Sequence, residues 1–293
     1  MSRVIRCDDP EWPRLLDELH PHAPPSHLFA EGMALDPGAV HVAIVGTRRP
    51  TYSGLEVAGR ISRGLAEAGF VVVSGMAVGI DAAAHRAALH AGGRTVAVLG
   101  CGLDVDYPAR NAELKRVIAK RGTLITEYPD RTPPLKRYFP LRNRIIAGLS
   151  VGVVVIEGTI RSGALVTARL ALDANRNVYA VPGSARNPMA EGPNELIRRG
   201  QAALVTGVEH VLEDLAPSLV WRDRGATEVA PELDEVEAAV LGALDDAPVA
   251  PDALAARFEF KPGRLSAALA ALEVRGLARR GPGGYVRGSS HYS

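Results

Sequence analysis

Cations alternate with flat rings over residues 135–149, LKRYFPLRNRIIAGL, where Lys136, Arg137, Arg142 and Arg144 surround Tyr138 and Phe139 before an apolar helix begins. That mixture suits an unpaired nucleic-acid strand. Guanidinium and ammonium groups neutralise phosphates, and a ring offers its face to a base that has left its stack. Stacking one base on an aromatic contributes roughly 1–3 kcal/mol and hardly depends on which base it is. The same composition also suits a surface loop whose rings plug the core and whose charges face water, so the scaffold has to decide.

Three other stretches combine glycine with a hydroxyl or an arginine. They are Gly46-Thr47-Arg48-Arg49-Pro50-Thr51-Tyr52-Ser53-Gly54, Ser74-Gly75-Met76-Ala77-Val78-Gly79-Ile80-Asp81, and Glu157-Gly158-Thr159-Ile160-Arg161-Ser162-Gly163. Close backbone approach beside a helix N-terminus is the usual means of holding a phosphate or another anion. None of the three is GxxxxGK[ST] or a clean GxGxxG with a ribose-binding acid, so neither ATP nor NAD is supported and no cofactor is expected. Asp81 and His85 share a helix face at i,i+4 without a nucleophile and read as a helix-stabilising pair. Glu127 and Glu157 each end a strand and read as partners for nearby arginines rather than as an acid/base couple. Cys101 reads as a structural thiol, and His20 and His22 as solvated rather than metal-bound.

Short β-branched runs at 41–45, 70–73, 95–99, 123–126, 151–156 and 177–181 alternate with amphipathic segments at 54–68, 80–91, 111–121, 142–149 and 164–174. Continuous apolar strands separated by helices predict a doubly wound α/β domain over residues 41–215, its mostly parallel sheet covered on both faces. Ligands of such sheets bind beyond the carboxyl ends of the strands, where strand order reverses, and the glycine loops follow strands. Residues 1–40 read as a lead-in segment, with a helix at 12–19 and an extended piece at 24–32, and residues 194–215 as closing helices. A Pro- and Arg-rich linker follows at 216–231. Residues 232–288 then predict helices at 232–244, 251–258 and 263–275, the last with Leu265, Leu269 and Leu272 on one face, and a hairpin at Gly281-Pro282-Gly283-Gly284. That is a winged-helix-like domain with a basic end (Arg264, Arg275, Arg279, Arg280, Arg287), whose partner is either duplex DNA or a protein.

At 293 residues, with 47% hydrophobic and 23% charged residues, the chain has the composition of a soluble globular protein. No apolar run reaches the roughly 18 residues that span a bilayer, and no signal-peptide core opens the chain. The two cysteines, Cys7 and Cys101, are far apart, which argues against a disulfide framework or zinc site and makes a reducing cytoplasm the expected compartment. A net charge of +1 excludes a polycation, so any nucleic-acid surface must be a local patch.

An ordered series of segments resembles the DNA-processing protein A family (DprA, also called Smf): VAIVGTRRPTYSG, VVSGMAVGIDAAAHRAAL, TVAVLGCGLDVDYPARNAEL, LITEYP, FPLRNRIIAGLS, RSGALVTARLAL, VYAVPG and GPNELIRRGQA. The resemblance implies a Rossmann-like, homodimeric, non-enzymatic mediator. Such a mediator binds single-stranded DNA, protects it and loads RecA during natural transformation. Its strand-binding positions fall on Arg48, Lys136 and Phe139, and on Arg142, Asn143 and Arg144 of the FPLRNR stretch. Gly46, Thr47, Ser74, Gly75, Gly79, Ser162 and Gly163 would support phosphates. Forty residues before the core are too few for the helical domain with which the family often opens, and Gly158 stands where an alanine often follows the Glu. The competing enzyme reading is a LOG-type nucleotide phosphoribohydrolase. Its PGGxGTxxE loop would fall on IEGTIRSGAL, residues 156–165, which lacks the paired glycines and the catalytic Glu. A structural interaction protein that docks through the winged helix is the third alternative.

Overall fold

The computed structural model describes residues 2–215, 233–244, 248–258, 260, 262–274, 277–281 and 283–287. The chain divides into two units, residues 1–219 and 220–293. The first unit runs β1 (Arg3–Arg6), a 3-10 helix (Arg14–Glu18), β2 (His27–Gly32), β3 (His41–Val45), α1 (Tyr52–Glu67), β4 (Val71–Ser74), α2 (Ile80–His90), β5 (Thr95–Val98) and α3 (Ala112–Arg121). It continues through β6 (Thr123–Thr126), α4 (Tyr138–Leu149), β7 (Gly152–Val155), α5 (Gly163–Asp173), β8 (Asn177–Ala180), α6 (Glu191–Arg198), β9 (Ala203–Leu204) and α7 (Val208–Leu215).

Successive side chains of a strand point to opposite faces, so an apolar run must be covered twice. Val42 and Ile44 of β3 pack with Ala58, Ile61 and Leu65 of α1 and Ile80 of α2. Ala43 and Val45 pack on the other face with Ile145 and Leu149 of α4 and Leu165 and Ala168 of α5. Each fully buried aliphatic chain contributes about 1.5–3 kcal/mol, so both helical layers are held by the same five-residue strand.

The sheet order is β1-β2-β6-β5-β4-β3-β7-β8-β9, and the strands from β3 to β9 are parallel. The chain steps from β3 outward to β6, then returns to lay β7 against the free side of β3. Strand order therefore reverses between β3 and β7, and the loops leaving those two strands diverge there. The expected doubly wound, Rossmann-like core is present.

Besides the start of α4, two regions differ from the expectation. Residues 3–32 extend the sheet: β1 pairs antiparallel with β2, and β2 with β6. Only Ile5 of β1 is buried, so RVIR carries no alternation that would announce a strand. The helix expected at 12–19 contracts to a five-residue 3-10 turn after Pro13, too short to sustain an α-helix. Its Trp12, Leu16 and Leu19 are buried in the core with α4, and a Cβ at Gly148 would lie 2.6 Å from Leu19 Cδ1. Within 194–215, the two-residue β9 interrupts the helices and pairs with β8. Two residues carry no period to read.

In the second unit, α8 (Glu235–Ala243), α9 (Pro251–Arg257) and α10 (Pro262–Val274) precede an antiparallel hairpin of β10 (Ala278–Gly281) and β11 (Gly284–Arg287). Asp234 and Glu237 form a reciprocal capping box at the start of α8. Val236, Val240, Leu254, Leu265, Leu269 and Leu272 make one core, and Val249 bridges Tyr285 beside the hairpin. This is the expected winged helix. The linker at 216–231, Arg275, Pro282 and the terminal residues 288–293 lie outside the described residues. Among the described residues, no helix is long and apolar enough to cross a membrane.

His41 and His85 are buried, and burial lowers their pKa values from 6.5 to about 4 and about 3 respectively. The Arg142 guanidinium adds to the effect at His85. Thr95 Oγ1 gives its hydrogen to Val72 O, so it accepts the Nδ1–H of neutral His85 at 2.7 Å. The unfolded chain takes up protons below about pH 6.5, and the folded chain does not until far lower. Stability present above pH 6.5 should thus fall as pH drops from about 6.5 toward 3. In denaturant titrations across that window, His85→Asn, which keeps a donor near Nδ1, should flatten the decline. An unchanged pH slope would contradict this assignment.

Candidate nucleic-acid interface

The switch between β3 and β7 opens into a cleft of about 420 Å³ lined by Gly46, Thr47, Arg48, Phe139, Asn143, Ser162 and Gly163, among others. A second cleft of about 130 Å³ is lined by Gly75, Leu99, Cys101 and Tyr107 and shares Arg48, Phe139 and Arg142 with the first. Loops from β3 (loop one, residues 46–51), β4 (loop two, residues 75–79) and β7 (loop three, residues 157–162) and the first turns of α4 thus meet at one sheet edge.

The start of α4 explains the position of the rings. The helix begins at Tyr138, four residues before the expected start at residue 142. Pro140 is tolerated there because first-turn N–H groups have no partner within the helix. Adjacent helical residues diverge by about 100°, so the two rings separate. Tyr138 packs on Tyr128 at 4.3 Å between centroids, with Arg137 Cζ 5.1 Å from its ring. Phe139 turns to the clefts, where Tyr107 lies at 5.4 Å and Arg48 Cζ at 5.7 Å from its centroid.

Arg142, Asn143 and Arg144 likewise face three ways. Arg142 is buried, with Nη1 donating to the carbonyls of Gly75, at 2.6 Å, and Val98, and Nε donating to Asn143 Oδ1 at 3.1 Å. Burial lowers its pKa to about 10, with the Asp81 carboxylate opposing the shift, so it stays cationic at neutral pH. Its Cζ lies 5.9 Å from the Phe139 centroid. Asn143 Nδ2 donates to Gly163 O at 3.4 Å, linking α4 to the start of α5. Arg144 pairs with Glu127 at 2.6 Å, as expected for that carboxylate.

Other expected residues have structural partners. Ser74 is buried and donates to Ile44 O at 2.6 Å. Gly79 has φ +86°, and a Cβ there would meet Thr47 O at 2.5 Å, so loop two is pressed onto loop one. Neither lines a cleft, and nor do Arg144 or the exposed Lys136. Two pairings differ from expectation. Asp81 does not pair with His85; it accepts the N–H groups of Gly75 and Ala77 at 3.2 and 3.3 Å. Burial raises its pKa against the pull of Arg142. Among the described residues Glu157 meets no arginine and instead accepts from Thr51 and Asn187. The sequence reading missed Tyr107, since a lone tyrosine in an aperiodic loop carries no signal. Cys101 is buried and its thiol pKa is raised by burial, as a structural thiol requires. Among the described residues, no cluster of three His, Cys, Asp or Glu side chains could hold a metal ion.

The family described as DNA recombination-mediator protein A matches residues 3–216, and the DprA winged helix domain matches residues 224–284. Protein Smf of Synechocystis sp. is 38% identical over 320 residues, covering 96% of this chain and 79% of the relative. Protein Smf of Escherichia coli is 39% identical over 269 residues, covering 90% and 72%. Among solved structures, DNA processing protein A from Streptococcus pneumoniae aligns with a TM-score of 0.69 at 42% identity, covering 72% of this chain and 74% of that one. DNA processing protein A from Helicobacter pylori, described for its single-stranded DNA binding mode, aligns with a TM-score of 0.66 at 30% identity, covering 74% and 97%.

Arg142→Ala strands two carbonyls and removes the counter-charge of buried Asp81. It should lower the unfolding free energy by about 3 kcal/mol in chemical denaturation. A loss below about 1 kcal/mol would mean that water replaces the guanidinium without penalty.

Proposed function

The chain belongs to the DNA recombination-mediator protein A family, and from that premise we propose that it binds single-stranded DNA across the two clefts at the β3–β7 switch. The observation that carries this reading is the wall formed by Arg48 and Phe139, which both clefts share. On one side are glycines and hydroxyls beside the N-terminus of α5, a setting for phosphate. On the other are Leu99, Cys101 and Tyr107, a setting for a base. In this reading Arg48 and Lys136 neutralise phosphates, and Phe139 presents its ring to an unstacked base. Asn143 and the backbone of Gly46 and Gly163 support the phosphate side, whereas Gly75 lines the other cleft with its N–H given to Asp81 and its carbonyl accepting from Arg142. Arg142 holds the ring and loop two in place from beneath, and Arg144 fixes α4 through Glu127. Duplex DNA hides its base faces, so unpaired strands are preferred without sequence selectivity.

The H. pylori relative, whose binding mode concerns single-stranded DNA, supports this ligand. The finer role is proposed on family grounds: a cytoplasmic, non-enzymatic homodimer that protects incoming single strands and loads RecA during natural transformation. A dimer doubles the patch and lets two strands be held together.

Fluorescence anisotropy with a single-stranded oligonucleotide and its duplex, at several salt concentrations, tests the site. Arg48→Ala and Lys136→Ala should each flatten the slope of log K against log salt by about 0.7. Phe139→Ala should weaken single-strand binding by about 1–3 kcal/mol with the slope unchanged. Equal binding to both DNAs, or indifference to all three substitutions, would overturn the assignment.

A further inference from the structure

A carboxylate at an anion-binding edge repels the ligand, so Glu157, the first residue of loop three, needs a physical explanation. Its side chain is 6% exposed and already engaged. Thr51 donates to it twice, from the backbone N–H at 2.9 Å and from Oγ1 at 2.6 Å, and Asn187 Nδ2 lies at 3.4 Å. The backbone carbonyl of Glu157 accepts the N–H of Thr47 at 2.7 Å. One residue therefore grips the Arg48 loop at both ends, at Thr47 and at Thr51, with exposed Arg48 between the two anchors.

The neighbouring geometry is built around this grip. A Cβ on Gly54 would lie 2.4 Å from the carboxyl carbon of Glu157, so only glycine lets the carboxylate reach the first turn of α1. Thr51, having given its hydroxyl hydrogen to Glu157, accepts the Gly54 N–H at 3.0 Å and caps α1. The negative charge sits at the positive end of the α1 dipole, where it is stabilised. Loop one thus cannot move without breaking contacts to the residue that begins loop three.

We infer that Glu157 is a positioning residue for DNA binding: it fixes the backbone on either side of Arg48 so that the guanidinium is held over Phe139 before the strand arrives. This rests on the reading of Arg48 as a phosphate ligand. Fixing a long side chain's loop in advance removes part of the ordering cost that binding would otherwise carry.

Charge and position make opposite predictions for Glu157→Gln. Removing a negative charge beside a polyanion should by itself tighten binding. Loss of the grip should weaken it, because the amide cannot accept both Thr51 donors. The expected result is about 3- to 10-fold weaker single-strand binding, with the salt slope flattened as in Arg48→Ala. In the Arg48→Ala background, Glu157→Gln should cause no further loss of binding. Thr51→Val should reproduce the loss, and Thr51→Ser, which keeps the hydroxyl, should restore binding. Hydrogen exchange should accelerate over residues 47–54 in Glu157→Gln without change in β3. Unchanged or tighter binding, additive losses in the double variant, or unaltered exchange over 47–54 would each overturn the inference. If Arg48→Ala leaves affinity untouched while exchange in Glu157→Gln still accelerates, it is the ligand reading of the cleft that has failed, and the positioning role falls with it.

Discussion

The buried guanidinium of Arg142 is the interaction on which the rest of the site depends. It ties α4 to the ends of β4 and β5 through the carbonyls of Gly75 and Val98, and it lies beneath the ring of Phe139. A Cβ on Gly75 would lie 2.7 Å from Arg142 Nη2, so loop two can close over the guanidinium only as glycine. Desolvating such a cation costs several kcal/mol unless hydrogen bonds and a counter-charge offset the loss. The carbonyls supply the first and buried Asp81 the second. The cation therefore contributes to the field at the cleft without leaving its place in the fold.

The same edge shows how a chain of net charge +1 can favour a polyanion locally. It does not pile up cations; it removes carboxylates from view. Asp81 is turned onto the amides of loop two, Glu127 is neutralised by Arg144, and Glu157 is enclosed by Thr51 and Asn187. Arg48 and Arg49 stay exposed at the first cleft, and Lys136 and Arg137 stay exposed on the turn that leads into α4. The β3–β7 reversal supplies the space, because these neighbouring parallel strands send their loops away from each other.

What the sequence discloses follows from what each pattern encodes. β3 and β6 were legible to the residue, because strands buried on both faces read as short runs of largely apolar and β-branched residues free of Lys, Arg, Asp and Glu. β1 and β9 were not, since an edge strand with one buried residue and a two-residue strand are indistinguishable from loop. At the site, the ring-and-cation composition of loop and helix was legible, and so were the glycine loops that line the cleft. The inward turn of Arg142 was not. Three polar residues in succession, Arg142, Asn143 and Arg144, must point three ways on a helix, and only the tertiary packing decides which one goes into the core. The partners of Asp81 and Glu157 were hidden for the same reason: backbone N–H groups and a threonine hydroxyl leave no charge pattern in a sequence.

The most direct test is amide hydrogen exchange of the full chain, free and saturated with a single-stranded oligothymidylate. Binding at the strand switch predicts slowed exchange over residues 46–51, 74–81, 136–143 and 157–163, with little change in the central strands, which are already protected. Protection confined to residues 233–287, or none in the loops at that sheet edge, would contradict the assignment and move the ligand elsewhere on the chain.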